Sequence, residues 1–421
     1  MKAVIGKGFA GGAVAAPPSK SYTIRALFAA AMAGGRSVIR NPLAADDSEA
    51  AADVLSRLGA GIERGANAWT VAGGNLEPPH QKLDCRQSAA TLRFLAPVCA
   101  ALEGVSRITF APGLARRPMA PLFEAFSQLG VASKLADNYF TIQGTGGRFK
   151  SNAVTLPGNV SSQFVSGLLL AAPLAEAGLE IRLTTPAESK DYLRMTLDCL
   201  RRFGIEVTPN AELTGFRVSR QEYRPADYTV EGDWSSASYF LGLGALAGQV
   251  NVSGLSEASL QADRFILHCL RRMGAAISTD SKTITVSRSR LKAIDVDLNE
   301  AIDLLPTVAC LAAAAEGTSV ITGLGRARLK ESDRISTVAG NLKRTGIAVV
   351  EGTDCMTVTG GLPHGAVVDS CDDHRVAMAF AMLGAACGDM VVLGAECVNK
   401  TYPGFWEDFR NAGGKVDLQI E

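Results

Sequence analysis

The chain has 421 residues, a length that at roughly 100–200 residues per domain corresponds to two to four domains. Hydrophobic residues make up 47% and charged residues 20%, the balance of a folded globular chain, which excludes extensive disorder. Lys and Arg together number 42, as do Asp and Glu, so the basic excess usual in a nucleic-acid binder is absent and only a local basic cleft, offset elsewhere, remains open. No apolar core follows the first Lys, so no signal peptide is expected. The most apolar runs, residues 165–179 and 376–387, fall short of the ~18 unbroken apolar residues of a membrane span. Nine Cys are scattered without a CxxC pair, and Cys99, Cys199, Cys269, Cys310 and Cys387 sit in apolar surroundings, as reduced thiols do in a cytoplasmic protein. The four His (His80, His268, His364 and His374) share no ligand spacing, so no metal is expected.

In chain order the sequence repeats itself six times. A nearly all-apolar, Ala-rich helix, closed by Gly and followed by a short strand, recurs with its closing glycine at Gly34, Gly104, Gly178, Gly248, Gly317 and Gly388. A second, amphipathic helix ends in a Leu-x-x-hydrophobic-Gly pattern at Gly59, Gly130, Gly204, Gly274 and Gly346, with a worn copy at Gly413. Both markers step by 67 to 74 residues and stay in register, so the repeated unit is about 70 residues long. The Ala-rich helix is apolar all round and is expected to be buried, with its glycine as a left-handed C-cap. The amphipathic helix, with Arg201, Arg202, Arg271, Arg272, Lys343 and Arg344 beside its apolar positions, is expected to face solvent. Strands outside and buried helices inside make an inside-out α/β barrel.

Polar residues gather just before each buried helix. They read Ser19-Lys20-Ser21 with Arg25, Arg86-Gln87-Ser88 with Arg93, Val160-Ser161-Ser162-Gln163, Gly232-Asp233-Trp234-Ser235-Ser236, Asn299-Glu300 with Asp303, and Asp372-Asp373-His374-Arg375. Helix capping accounts for the Ser and Asp residues. It does not account for Lys20, Arg25, Arg93 and Arg375, because the positive end of the helix dipole disfavours cations. An anionic ligand reconciles the two, since free helix N–H groups reinforced by Lys and Arg bind phosphate or carboxylate. Arg116-Arg117-Pro118, Lys330-Glu331-Ser332-Asp333-Arg334 and Asn399-Lys400-Thr401 precede amphipathic helices. Arg116 alone reads as a solvated charge. Lys330 and Arg334, four apart on a helix start with Glu331 beside them, form an anion clamp with a carboxylate adjacent for proton transfer. No GxxxxGK[ST] phosphate loop is present.

With these residues in view, the chain resembles the enolpyruvyl transferases of the 5-enolpyruvylshikimate-3-phosphate synthase family. The resemblance spans essentially the whole chain and rests on PPSKSYTIRA, RPMAPL, NVSSQFVSGLL, EGDWSSASYF, LKESDRIS, DDHRVAMA and KTYPGFW. It implies a two-domain inside-out α/β barrel, three units per domain, closing over the substrates, with residues 1–18 plus 231–421 in one domain and 19–230 in the other. It implies that the 5-hydroxyl of shikimate 3-phosphate attacks C2 of phosphoenolpyruvate as C3 is protonated, and that phosphate then leaves. It implies no metal or organic cofactor, no nucleic-acid or membrane partner, and a cytoplasmic monomer. By motif, Lys20, Ala89, Arg117, Gln163, Arg334, Arg375 and Lys400 are expected at phosphoenolpyruvate. Lys20, Ser21, Arg25, Ser161, Ser162, Gln163, Ser189, Tyr192, Asp303 and Lys330 are expected at shikimate 3-phosphate. Asp303 is the implied base at the 5-hydroxyl, with Glu331 and Lys20 the implied carriers of the C3 proton.

Two places depart from the family pattern. Ala89 stands where the family has a glycine against phosphoenolpyruvate, and Arg86 stands where glycine is usual; Arg326 occupies a position that often holds a shikimate-side polar residue. The expectation is a pocket that accepts phosphoenolpyruvate but crowds the longer inhibitor glyphosate. Three other functions differ at identifiable residues. The relative acting on UDP-N-acetylglucosamine bears a Cys shortly before the position of Arg117, and Pro112-Gly113-Leu114-Ala115-Arg116 has none. A paralogue acting on another cyclic alcohol remains compatible with the altered loop. A non-catalytic anion-binding module needs the cations but not Asp303 and Glu331 alongside Lys20 and Arg375.

Overall fold

Six helices rich in Ala, Leu and Gly have no polar face to offer solvent, and the chain buries each along nearly its whole length. They are α1 (Lys20–Met32), α2 (Ala89–Ala101), α3 (Ser162–Ala171), α4 (Trp234–Ala247), α5 (Leu305–Ala313) and α6 (His374–Cys387). The computed structural model describes residues 1–9, 11–78, 81–136, 138–280 and 283–420; His80 lies outside them. The amphipathic helices lie outermost, at Asp46–Arg57, Ala120–Leu129, Lys190–Arg202, Ile266–Arg272, Arg334–Arg344 and Phe405–Asn411. Their basic residues Arg201, Arg202, Arg271, Arg272, Lys343 and Arg344 are exposed, as the pattern requires. Among the described residues no helix is long and apolar enough to cross a membrane.

Six four-stranded sheets accompany the helices, all built in one order: a parallel edge strand, then three antiparallel strands. Burial alternates along them, so that Phe140 and Ile142, or Ile284 and Val286, point inward while their neighbours are more exposed. The result is the two-domain inside-out α/β architecture of six repeats. Contacts divide the chain into two units, Pro18–Glu231 and the pair Met1–Pro17 with Gly232–Glu421. Each holds three sheets and three inner helices.

The sheets close through exchanged strands. In four repeats the parallel edge strand leads directly into the inner helix of the same repeat. In the other two the strand and the helix belong to different repeats. Gly12–Ala15 pairs with Gln249–Ser253 yet runs on into α1, and Asp227–Thr229 pairs with Gly35–Arg40 yet runs on into α4. Lys2–Phe9 fills the third place of the last sheet, between Met390–Leu393 and Gly414–Gln419. The start of the chain is therefore two strands in two sheets.

The glycines that close the Ala-rich helices are not left-handed caps, contrary to the sequence-based expectation. α2 ends at Ala101 and Gly104 already lies within the strand Glu103–Thr109. Gly388, after α6, has φ 82° and ψ 171°. α1 and α2 leave through extended residues, Ala33 and Leu102, and their strands follow at once; after α3 the turn Ala172–Leu174 intervenes, and Gly178, with φ 69°, lies beyond the helix end. The αL cap appears on an outer helix instead, at Gly130 with φ 71° and ψ 23°.

Small residues set how closely the inner helices approach. A Cβ at Gly167 in α3 collides with the Arg93 carbonyl of α2, a backbone atom that cannot step aside. A Cβ at Gly242 in α4 meets the Sδ of Met382 in α6, the flexible end of a side chain. Gly167→Ala is therefore expected to lower stability by about 1–3 kcal/mol in urea unfolding, with a clearly smaller loss for Gly242→Ala.

Candidate active site

In the unit containing Gly232–Glu421, charged side chains converge on Asp303, which lies in the turn Ile302–Leu304 leading into α5. Arg334 Nη1 donates to Asp303 Oδ1 at 2.6 Å, Lys330 Nζ lies 3.2 Å from the same oxygen, and Arg375 Nη2 donates to Oδ2 at 3.0 Å. Burial alone would raise the Asp303 carboxyl, but Arg375, Lys330 and Arg334 together hold it well below the usual carboxylate range. Arg334 is only 1% exposed and meets two further carboxylates. Its Nε donates to Asp373 Oδ2 at 2.7 Å and its Nη2 to Glu331 Oε2, also at 2.7 Å. These partners raise its pKa, against the opposing effect of burial. Lys400 Nζ lies 3.5 Å from the other Glu331 oxygen. Four cations (Lys330, Arg334, Arg375 and Lys400) thus face three carboxylates (Asp303, Glu331 and Asp373), which leaves a positive surplus.

Local structure explains the convergence. Asp373 caps α6 by accepting the Arg375 N–H at 3.0 Å, which turns the start of α6 toward Arg334. Asp333 caps the helix Arg334–Arg344 through the Ser336 N–H. Lys330 follows the turn Gly325–Leu329 and lies before that helix. Lys330 and Arg334 are therefore not neighbours on one helical face, as their spacing suggested; they reach Asp303 from a loop and from a helix start. Burial lowers Lys330 to about 8, with Arg334 and Arg326 adding to the effect and Asp303 opposing it. Arg326 is turned to Asn299, bonding its backbone carbonyl and its side-chain oxygen.

In the unit Pro18–Glu231 the expected residues form smaller groups at the starts of α1, α2 and α3. Lys20, the first residue of α1, lies 3.3 Å from Asp47. Arg25 is buried; its Nε donates to Thr196 Oγ1 at 2.9 Å, its Nη1 to the Ser21 carbonyl at 2.9 Å and its Nη2 to the Tyr192 carbonyl at 3.1 Å. These bonds brace α1 against the helix Lys190–Arg202. Arg93 reaches from α2 to Gln163 Oε1 at 2.9 Å, Ser161 Oγ at 3.3 Å and the Pro118 carbonyl at 2.9 Å, with its guanidinium 4.7 Å from the Phe164 ring centroid. Ser161 also caps α3, and Ser162 is its first residue. Ser189, before the helix Lys190–Arg202, has φ 54°, a left-handed conformation that strains a non-glycine residue. Arg117 is half-buried and Arg116 exposed, in keeping with the solvated reading of the latter.

Ala89 is the buried first residue of α2. Arg86 has φ 50°, so it holds the backbone shape that glycine takes most readily. Its side chain bonds Asp53 on the helix Asp46–Arg57, and Asp53 is shared with Arg64.

Sequence reasoning misses several members of these groups. Asp373 reads in the sequence as a helix start only, although the Asp-His-Arg step that caps α6 also sets it opposite Arg334. Asp47 and Thr196 carry no signal, because their roles depend on contacts with distant parts of the chain. Among the described residues no cluster of His, Cys, Asp or Glu is suited to a metal ion, and burial pushes the Cys99, Cys199 and Cys269 thiols up to about 12.

The family model described as EPSP synthase (3-phosphoshikimate 1-carboxyvinyltransferase) matches residues 7–409. The chain belongs to the EPSP synthase family. A 3-phosphoshikimate 1-carboxyvinyltransferase from Dehalococcoides mccartyi is 47% identical over 418 residues, covering 99% of each chain. The solved EPSP synthase from Acinetobacter baumannii superposes with a TM-score of 0.84 at 26% identity, over 99% of this chain and 100% of that one. The enolpyruvyl transferase NikO from Streptomyces tendae, at 18% identity and a TM-score of 0.81 over 99% of this chain and 98% of its own, shares the fold.

Asp373→Ala leaves the buried Arg334 guanidinium short of an anion and removes the cap of α6. A loss of about 3–5 kcal/mol is expected, read in urea unfolding through the fluorescence of the buried Trp234 and Trp406.

Proposed function

We propose that the chain transfers the enolpyruvyl group of phosphoenolpyruvate to the 5-hydroxyl of shikimate 3-phosphate and releases phosphate. The observation that carries this reading is Asp303, a largely shielded carboxylate, 13% exposed, kept ionised by three cations that reach it from three segments. A site that only binds anions gains nothing from a carboxylate competing for its cations. A site that must take a proton from a hydroxyl needs one.

The same geometry supports a sequence of events. A polyanionic substrate competes with Asp303 for Lys330 and Arg375. As those cations turn to the substrate, Asp303 loses stabilisation of its charged form and becomes more basic. The 5-hydroxyl gives its proton to Asp303 while the oxygen electron pair forms the bond to C2 of phosphoenolpyruvate and C3 takes a proton. Glu331, set between Arg334 and Lys400, and Lys20, paired with Asp47, are the proposed carriers of that proton and of its later return. Collapse of the tetrahedral adduct expels phosphate into a cationic environment, where the developing charge is stabilised.

The remaining roles follow the family pattern. Lys20, Ala89, Arg117 and Gln163, with Arg334, Arg375 and Lys400, serve phosphoenolpyruvate. Lys20, Ser21, Arg25, Ser161, Ser162, Gln163, Ser189 and Tyr192, with Asp303 and Lys330, serve shikimate 3-phosphate. The proposal places the reaction in the shikimate pathway to chorismate and the aromatic amino acids, carried out by a cytoplasmic monomer. Phosphate release in the presence of both substrates, and not with either alone, is the direct test; absence of release would overturn the reading.

Lys330 supplies a pH signature. Above its pKa of about 8 the amine is neutral and cannot meet a phosphate charge. kcat/KM for shikimate 3-phosphate is expected to fall above pH 8, approaching tenfold per pH unit, because this ratio reports the free enzyme. Lys330→Arg should remove that alkaline limb.

The buried methyl of Ala89 at the start of α2 supports reduced sensitivity to glyphosate. Inhibition competitive with phosphoenolpyruvate is expected to be weak, and a sub-micromolar inhibition constant would contradict it. Ala89→Gly should tighten inhibition about 10-fold or more, the range one methyl commands in a closely fitted pocket.

A further inference from the structure

Lys330 and Glu331 stand on a stretch outside any helix or strand: the chain bends through 330–332 between the turn Gly325–Leu329 and the helix Arg334–Arg344. Side-chain contacts have to set its shape. On the inner side these are Lys330 with Asp303, Glu331 with Arg334 and Lys400, and the Ser332 hydroxyl, which donates to Asp373 Oδ2 at 3.2 Å. Lys330, Arg334 and Lys400 are also the cations for which a polyanionic substrate competes, so the inner contacts weaken when the site fills.

Arg328 fixes the outer side. Its Nη1 donates to Asp333 Oδ2 at 2.8 Å and to Glu351 Oε1 at 3.0 Å, with Ser336 Oγ 3.1 Å away. Its Nη2 donates to the Gly352 carbonyl at 2.6 Å and its Nε to the Thr353 carbonyl at 3.1 Å. Asp333 caps the helix Arg334–Arg344, so one guanidinium joins the residue before the bend to the residue after it. Glu351, Gly352 and Thr353 lie at the tip of the hairpin made by Ala348–Glu351 and Cys355–Thr359. Asp354, in the same tip, accepts the Gly325 N–H through Oδ1 and the Leu324 N–H through its carbonyl, the latter at 3.0 Å. Residues 328–333 are therefore a loop closed at its base and clamped to a hairpin, with Lys330 and Glu331 between its two ends.

We infer that Arg328 is a positioning residue for Lys330 and Glu331: by tying Asp333 and the hairpin tip together it keeps both side chains in place after substrate has drawn the inner cations away. The inference rests on the function proposed above. Arginine suits the task, because its planar fork meets two carbonyls and a carboxylate at once, which a lysine amine cannot. Without the cation, the Asp333 and Glu351 carboxylates that share its Nη1 are left close together, and their repulsion pushes Asp333 off its cap. A displacement on the order of 1 Å at a group that serves the chemistry lowers the rate by about 10²-fold. Ion pairs as exposed as this one add little to stability, so the effects on rate and on folding separate.

Kinetics and hydrogen exchange test this. Arg328→Ala is expected to lower kcat by about 10–100-fold and to raise KM for shikimate 3-phosphate, with the urea midpoint nearly unmoved. Arg328→Lys should recover part of the loss, and it carries the same comparison if the alanine variant does not fold. Arg290→Ala, which breaks the exposed pair with Glu316 in the same unit, should leave both constants as they are. A merely structural contact at Arg328 would shift the urea midpoint and leave kcat and KM unmoved; that result would overturn the inference. Hydrogen exchange needs no substrate and so separates failure of this inference from failure of the proposed function. The amides of 329–333 should exchange at least about tenfold faster in Arg328→Ala while those of α5 keep their rates. Unchanged exchange across 329–333 would count decisively against the proposal.

Discussion

A guanidinium buried to 1% exposure must be answered by anions, and Arg334 is answered by three. That requirement governs the charged end of its unit. Asp373 is placed by its role as the α6 cap, Glu331 by the loop before Arg334, and Asp303 by the turn into α5. Each of the last two carboxylates then recruits a further cation: Lys400 to Glu331, and Lys330 with Arg375 to Asp303. The arrangement is a set of charges held in place by their mutual needs. In a low-dielectric setting such a network is costly to break at any one member. Its surplus of positive charge makes it receptive to phosphate and carboxylate.

The repeats are legible in the sequence because two local signals, alanine-rich apolar helices and glycine-closed amphipathic ones, recur in register. Those signals determine which helices are buried without reference to distant residues. The strand exchanges are not legible. Gly12–Ala15 and Asp227–Thr229 have no distinctive composition, and their partners are remote along the chain, Gly12 lying opposite Val250 and Asp227 opposite Val38. The glycines mislead as caps because the next segment decides how an inner helix ends, and a strand beginning within a few residues calls for extended backbone. At the site, Lys330, Glu331, Arg334 and Arg375 are legible through motifs that combine opposite charges in short spans, and Asp303 and Lys400 through the family resemblance. Asp47 and Thr196 are not, since a single Asp or Thr acquires meaning only from the segments that fold against it.

The loop before α2 shows how a residue other than glycine can hold a left-handed backbone. A left-handed residue other than glycine costs about 1–2 kcal/mol. At Arg86 that strain is accompanied by an ion pair to Asp53, on the same helix whose Asp47 meets Lys20. The side chain is directed toward the outer helix, so it anchors the loop on the far side from Ala89 at the start of α2.

The exchanged strands also set an order for synthesis. Residues 18–231 form one unit from a continuous stretch, whereas the other unit needs the first 17 residues together with everything after 231. As the polypeptide emerges from the ribosome, its earliest strands find no sheet to join until Gln249–Ser253 is made, and Lys2–Phe9 must wait for Met390–Leu393. The continuous unit is thus an insertion that can mature while its host is still incomplete, leaving two short apolar segments unpaired for most of translation.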